Sequence, residues 1–165
     1  MLTKKVAVFV MALLLSACGY HLRGAFELPA TMKSIYVEGG SGALREQLKQ
    51  VMKSSSGQLA DSRKGAGIVI KIFNEDFNRR VLSLSTRGKS NEFELNYRLD
   101  YEFANAEDAP LMERQSVDVR REYYNDQQFM IAKDQEEAVI RNEMYQQAVH
   151  TIVNRARVVL EAGAK

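Results

Sequence analysis

The stretch Glu92–Phe103, EFELNYRLDYEF, alternates without a break. Phe93, Leu95, Tyr97, Leu99, Tyr101 and Phe103 are apolar or aromatic, and Glu92, Glu94, Asn96, Arg98, Asp100 and Glu102 lie between them. A period of two puts the first set on one face of a β-strand and the second on the other. The chain must therefore supply a layer that covers one face of a sheet while the opposite face stays wet. The wet face suits plain solvent, and it equally suits the watery lumen of a large β-barrel, whose inner wall is polar.

The other elements follow from the same reasoning. SIYVE (34–38) reads as a short strand ended by GGSG. Ala43, Leu44, Leu48, Val51 and Met52 fall at helical spacing, so Ala43–Lys53 is expected to be a short amphipathic helix. KSSSG and DSRKGAG read as loops. IVIKIF (68–73) starts a strand whose alternation weakens through NEDFNRR and returns in VLSLS, the pattern of one long strand with a bulge near Asn74–Arg80. TRGKS turns around Gly88, NAEDAP forms another turn, and Leu111–Tyr124 reads as a fourth strand with Val117, Val119 and Tyr123 on one face. Asp134 and Glu137 have capping-box spacing. Behind them Val139, Tyr145, Ala148, Val149, Ile152, Val153, Ala156, Val159 and Leu160 form the stripe of a long helix ending near Ala162–Gly163. The order β-α-β-β-β-α predicts an α/β (α+β) two-layer sandwich, with two helices packed on one face of a four-stranded sheet.

The N-terminus has a different character. Lys4 and Lys5 precede ten uncharged, mostly apolar residues, Val6–Leu15, followed by the small residues Ser16 and Ala17 and the chain's single cysteine, Cys18. Ten helical residues span about 15 Å, half of a bilayer core of about 30 Å, which makes a secretory signal rather than a membrane anchor. One cysteine excludes an intramolecular disulfide and a CxxC redox pair. Leu15-Ser16-Ala17-Cys18 resembles the lipobox of bacterial lipoproteins, in which the cysteine thiol is acylated and becomes the first mature residue. By that resemblance Gly19, where aspartate favours inner-membrane retention, points to the outer membrane. The expected division is a signal peptide at 1–17, a lipidated extended leader at 18–33 containing Pro29, and a single domain at 34–165. Removing residues 1–17, which carry Lys4 and Lys5 and no acid, leaves 148 residues with Lys+Arg lowered from 23 to 21, equal to Asp+Glu at 21. A balanced mature charge gives a nucleic-acid partner no global electrostatic support.

No constellation argues for catalysis. His21 sits beside the lipidation site and His150 beside the apolar stripe of the long helix, while GGSG lacks the lysine of a phosphate-binding loop. Metal ligands and a nucleophile with a base are both wanting in the pattern, so the expectation is a non-enzyme with no cofactor other than acyl chains on Cys18. The cations divide into Arg79 and Arg80 in the irregular part of the second strand, Arg120 and Arg121 in the fourth, Lys133 before the long helix, and Arg87 with Lys89 around Gly88. A turn carrying two cations can engage phosphate or carboxylate. It can also do no more than keep the turn solvated.

Four stretches together resemble the LPS-assembly lipoprotein LptE family: CGYHLRG at the lipidation site, FELPATMKSIYVEG (26–39), NEFELNYRLDYEF (91–103), and the loop and helix from Tyr123 to Ala156 with its AKDQEE. The resemblance implies an outer-membrane lipoprotein on the periplasmic side, anchored in the inner leaflet, that plugs and supports assembly of an LptD-like β-barrel and binds lipopolysaccharide. It also implies that Thr86, Arg87, Lys89 and Lys133 bear on lipopolysaccharide binding, arginine and lysine suiting its phosphates and threonine donating a hydrogen bond. An adaptor for another envelope machine and a hydrolase with an unrecognised site are the competing classes. Cys18→Ser should block processing and leave precursor, or release a soluble form where another peptidase cuts. Intact-mass analysis of the membrane-bound protein checks this, and an unmodified Cys18 there would refute lipidation.

Overall fold

The computed structural model describes residues 28–125 and 130–163, so the signal peptide, Cys18 and most of the leader lie outside the described residues. The elements are a 3₁₀ turn at Ala30–Lys33, β1 (Ser34–Glu38), α1 (Gly42–Ser54), β2 (Gln58–Leu59), β3 (Ile68–Leu84), β4 (Ser90–Ala104), β5 (Gln115–Tyr124) and α2 (Met130–Gly163). Both helices cover one face of a mixed sheet ordered β2-β1-β3-β4-β5. The expected sandwich is present, with one strand more than the four expected. β2 is only two residues long and pairs in parallel with the start of β1, so the loop-like composition around it concealed it.

The unbroken alternation of β4 becomes the centre of the core. Leu95, Tyr97, Leu99, Tyr101 and Phe103 are fully buried and Phe93 packs at their edge. Antiparallel pairing sets Val117 beside Leu99, Val119 beside Tyr97 and Tyr123 beside Phe93. From above, α1 contributes Leu44, Leu48, Val51 and Met52, and α2 contributes Met144, Ala148, Val149, Ile152, Val153 and Ala156. The predicted helix stripes therefore face the predicted strand face, apart from Val139, which is exposed. The inward position at that level of α2 belongs to Glu137 and Ile140, which turns Val139 outward.

β3 changes face partway along. Ile68, Ile70 and Ile72 point into the core, and Phe73 pairs with Asp100. The next pair is Asp76 with Arg98, so β3 spends three residues where β4 spends two, and Asn74 takes a φ of 45°. One extra residue reverses the parity, and beyond the bulge Glu75, Phe77 and Arg79 face the helices. Glu75 accepts from the Ser41 amide (2.5 Å), the Ser41 hydroxyl (2.7 Å) and the Tyr97 hydroxyl (2.8 Å). Ser41 caps α1 by accepting from the Leu44 amide, so the bulge fastens α1 to the sheet. At the other end of β3, a Cβ on Gly67 would lie 1.7 Å from the Thr31 carbonyl oxygen, so this close backbone crossing requires glycine.

Three expectations are corrected. The leader is not extended throughout, since Ala30–Lys33 form a 3₁₀ turn that buries Met32. The last strand begins at Gln115, not Leu111; ahead of it an isolated bridge joins Pro110 to Ala104, and the Leu111 amide donates to the Phe103 carbonyl (2.7 Å). The long helix starts at Met130, which places Lys133 and Asp134 inside it and removes the capping box. Leu99→Ala should destabilise the domain by about 2–5 kcal/mol, the cost of a fully buried leucine cavity. Denaturant unfolding measures it, and an unchanged midpoint would contradict the described packing.

Candidate functional site

β3 and β4 continue as an arm whose last pair is Leu84 with Ser90, with β5 alongside β4 as far as Glu92 opposite Tyr124. The arm closes through a turn in which the Ser85 amide donates to the Lys89 carbonyl (2.7 Å), the Gly88 amide to the Ser85 carbonyl (2.9 Å) and the Lys89 amide to the Ser85 hydroxyl (3.2 Å). Gly88 has a φ of 72°, the left-handed conformation that makes glycine the fitting residue there. Thr86, Arg87 and Lys89 are thereby gathered on one exposed turn. The arm itself carries Val81, Leu82 and Leu84 to solvent, Leu84 at 63% exposure.

The sequence also marks Lys133, which lies elsewhere. It sits on α2, in the helical layer, with its ammonium 2.6 Å from Glu136. No hydrogen bond or ion pair joins it to the turn among the described residues. Topology still brings it to the same end of the molecule. β5 runs toward the turn, with Gln115 opposite Tyr101 and Tyr124 opposite Glu92, and α2 then runs back.

The remaining arginines of this region are already engaged. Arg80 makes a two-pronged contact with Glu94, at 2.6 and 3.1 Å, which explains how Glu94 is only 6% exposed on the wet face. Arg120 pairs with Asp118 at 3.0 Å, and Arg121 donates to Gln147 and to the Arg120 carbonyl. Arg79 contacts Glu137 at 2.8 Å and lies over the Phe93 ring. Against this background, the side chains of Arg87 and Lys89 make no ion pair or hydrogen bond among the described residues. Every arginine between Arg79 and Arg121 except Arg87 lies against a carboxylate, a polar group or an aromatic ring.

Glu137 is the residue that the sequence reading placed in the wrong role. It is 8% exposed. One carboxylate oxygen accepts from Arg79 and from the Tyr123 hydroxyl, and the other accepts from Arg141 Nε (3.0 Å) and Nη2 (2.8 Å). Burial alone would raise its pKa, but the hydrogen bonds from Tyr123, Arg141 and Arg79 outweigh it, and the carboxyl is held below its usual value. Burial first, then the bond to Glu137, pushes the Tyr123 hydroxyl up to about 12. Acid-to-cation spacing of four between Glu137 and Arg141 was visible in the sequence, but the partners from β3 and β5 were not. The exposed leucines had a signal: VLSLS keeps its apolar residues past the point where the opposing strand, at Ser90 and Asn91, has none.

The fold and site define a class of domain: a two-layer α+β sandwich whose long β3–β4 hairpin ends in an exposed cationic turn. The chain belongs to the LptE family: the family model described as "Lipopolysaccharide-assembly" matches residues 32–156. It is similar to the "LPS-assembly lipoprotein LptE" of Photorhabdus laumondii, with 25% identity over 92% of this chain and 84% of the relative. The protein of that name from Pectobacterium atrosepticum is 27% identical over 90% of this chain and 82% of its own length. Among solved structures, the uncharacterized lipoprotein B of Nitrosomonas europaea superposes with a TM-score of 0.71 at 26% identity, covering 88% of this chain and 94% of that one. The rare lipoprotein B of Shewanella oneidensis shares the fold at a TM-score of 0.63 and 19% identity, over 79% of this chain and 98% of that one. The chain is therefore a lipopolysaccharide-assembly lipoprotein and not an enzyme.

A depressed carboxyl pKa contributes stability that is present above the unfolded value and lost as pH falls through the folded one. Thermal midpoints should therefore fall from about pH 4 downward. The fall should be shallower in Glu137→Gln, whose side chain has no proton to take up. Differential scanning calorimetry between pH 3 and 7 compares the two slopes; identical slopes would remove Glu137 from the acid response.

Proposed function

We propose that this protein binds lipopolysaccharide through the β3–β4 turn while seated in an LptD-like outer-membrane barrel, anchored in the inner leaflet by acyl chains on Cys18. The observation that carries the proposal is the uncommitted pair Arg87 and Lys89 in a region where neighbouring arginines are engaged. Two free cations at the end of an arm are available to an incoming anion without first breaking an ion pair. Thr86 adds a hydroxyl donor at the same turn, and Lys133 adds a cation at the same end of the molecule.

The exposed Val81, Leu82 and Leu84 favour an amphiphile over a free anion. Lipopolysaccharide carries phosphates and acyl chains in one molecule, and apolar side chains beside cations complement both parts. The sheet face away from the helices supports the barrel partner. There Arg80–Glu94 and Arg120–Asp118 neutralise one another, and Asn78 lies opposite Asn96, a surface suited to a polar, water-filled lumen. The periplasmic orientation and the outer-membrane address rest on the lipobox-like sequence and on Gly19.

Arg87→Asp combined with Lys89→Asp should weaken binding of purified lipopolysaccharide by about tenfold at low salt. The difference should narrow as salt rises, because the Debye length falls from about 10 Å at 0.1 M to about 3 Å at 1 M. Binding isotherms at two salt concentrations test this, with co-purification of the barrel as the control for the fold. Unchanged affinity with wild-type salt dependence would return the turn to a solvated tip. Recovery of a different envelope machine in place of the barrel would favour an adaptor.

A further inference from the structure

Lys133 can act with Arg87 and Lys89 only if the two layers keep a fixed relation at this end. Beyond Arg79 the arm shows Val81, Leu82 and Leu84 to solvent, and in the first turn of α2 Ile131 is 79% exposed. Among the described residues, Tyr123 and Phe93 supply the apolar packing at this level. The buried charged side chain joining the layers at this level, among the described residues, is Glu137. It takes Arg79 from β3, Tyr123 from β5 and Arg141 from its own helix, with all four donor contacts on two oxygens. The donors are themselves held by rings, Arg79 lying 4.6 Å from the centroid of Phe93 and Arg141 4.2 Å from that of Phe77. Phe93 in turn packs on Tyr123. Lys133 precedes Glu137 by four residues, so the two share one helix face a turn apart, with Lys133 on the side toward the arm's end.

The geometry points to Glu137 as a positioning residue that locks the start of α2, and with it Lys133, against the arm that carries Arg87 and Lys89. This rests on the turn being the lipopolysaccharide site insofar as the lock serves binding; the lock itself is a statement about placement. Its components come from three separate elements, and a charged carboxylate is needed to engage two guanidinium groups and a hydroxyl at once. A glutamine in its place keeps the shape but presents a single acceptor oxygen with no charge, so it cannot hold both guanidinium groups. The remaining contacts then leave the arm and the helix start free to move relative to each other.

The test uses the full chain with Cys18→Ser, so that only introduced thiols react, and spin labels on the exposed positions Leu84→Cys and Ile131→Cys. A second pair, Lys49→Cys with Arg98→Cys, monitors the body. With Glu137→Gln the first pair should widen its distance distribution by roughly 5 Å, about one helical turn, while the body pair stays unchanged. Arg79→Lys, which keeps the charge but loses the planar fork, should do the same to a smaller degree. An unchanged first pair overturns the inference, and so does broadening of both pairs, which would mean general loosening. Purified lipopolysaccharide is titrated in parallel against Glu137→Gln and against the Arg87→Asp, Lys89→Asp variant. Loss of affinity in both supports a lock that serves binding. If the charge-reversed turn binds normally, the lipopolysaccharide reading fails while the distances still decide the lock. If only Glu137→Gln binds normally despite a widened distance, the positioning role in binding is overturned.

Discussion

The extra residue at Asn74–Glu75 governs how the long arm relates to the rest of the molecule. Without it the parity set by Ile68, Ile70 and Ile72 would continue, and Asp76, Asn78 and Arg80 would point at the helices. With it, Glu75 reaches the cap of α1 and the Tyr97 hydroxyl, Phe77 meets Tyr97 and Tyr145, and Arg79 meets Glu137. Polar residues placed inward past the bulge each find a partner, so the fold can turn a strand over without stranding a charge. The two halves of β3 thus have separate tasks. The first fills the core and the second carries a polar junction to the helices.

This division explains what was legible from sequence. β4, with six alternating apolar or aromatic residues, and α1, with Leu44, Leu48, Val51 and Met52, state their faces directly because hydrophobic and aromatic side chains carry the burial there. The bulge was legible as a fading of alternation, since a parity reversal superimposes two period-two patterns. The two-residue β2 was not legible because its pairing depends on β1 being present beside it. The start of α2 was misread for a related reason. Asp134 and Glu137 have the spacing of a cap, and nothing local reveals that Glu137 is claimed by Arg79 and Tyr123, 58 and 14 residues away.

For the site, the residue types and the glycine turn were visible, and the structure supplied their context. Arg79, Arg80, Arg87, Arg120 and Arg121 look equivalent in a sequence. Only strand pairing and helix packing distinguish those that meet a carboxylate or an amide from the one left open at the turn. The placement of Lys133 depended likewise on chain direction, since its approach to this end follows from β5 running toward the turn and α2 starting there.

The arm also has a mechanical character. β3 runs for 17 residues, about 55 Å of extended chain, and its outer part projects as a ribbon only two or three strands wide. Such a ribbon behaves as a cantilever, whose deflection under a given load rises steeply with the unsupported length. The point of support is therefore as consequential as the sequence of the tip. Moving the clamp one helical turn toward the core would lengthen the free span and soften it, while leaving the residues at its end untouched. Stiffness at the end of this lever is thus set by side chains that never meet whatever the lever touches.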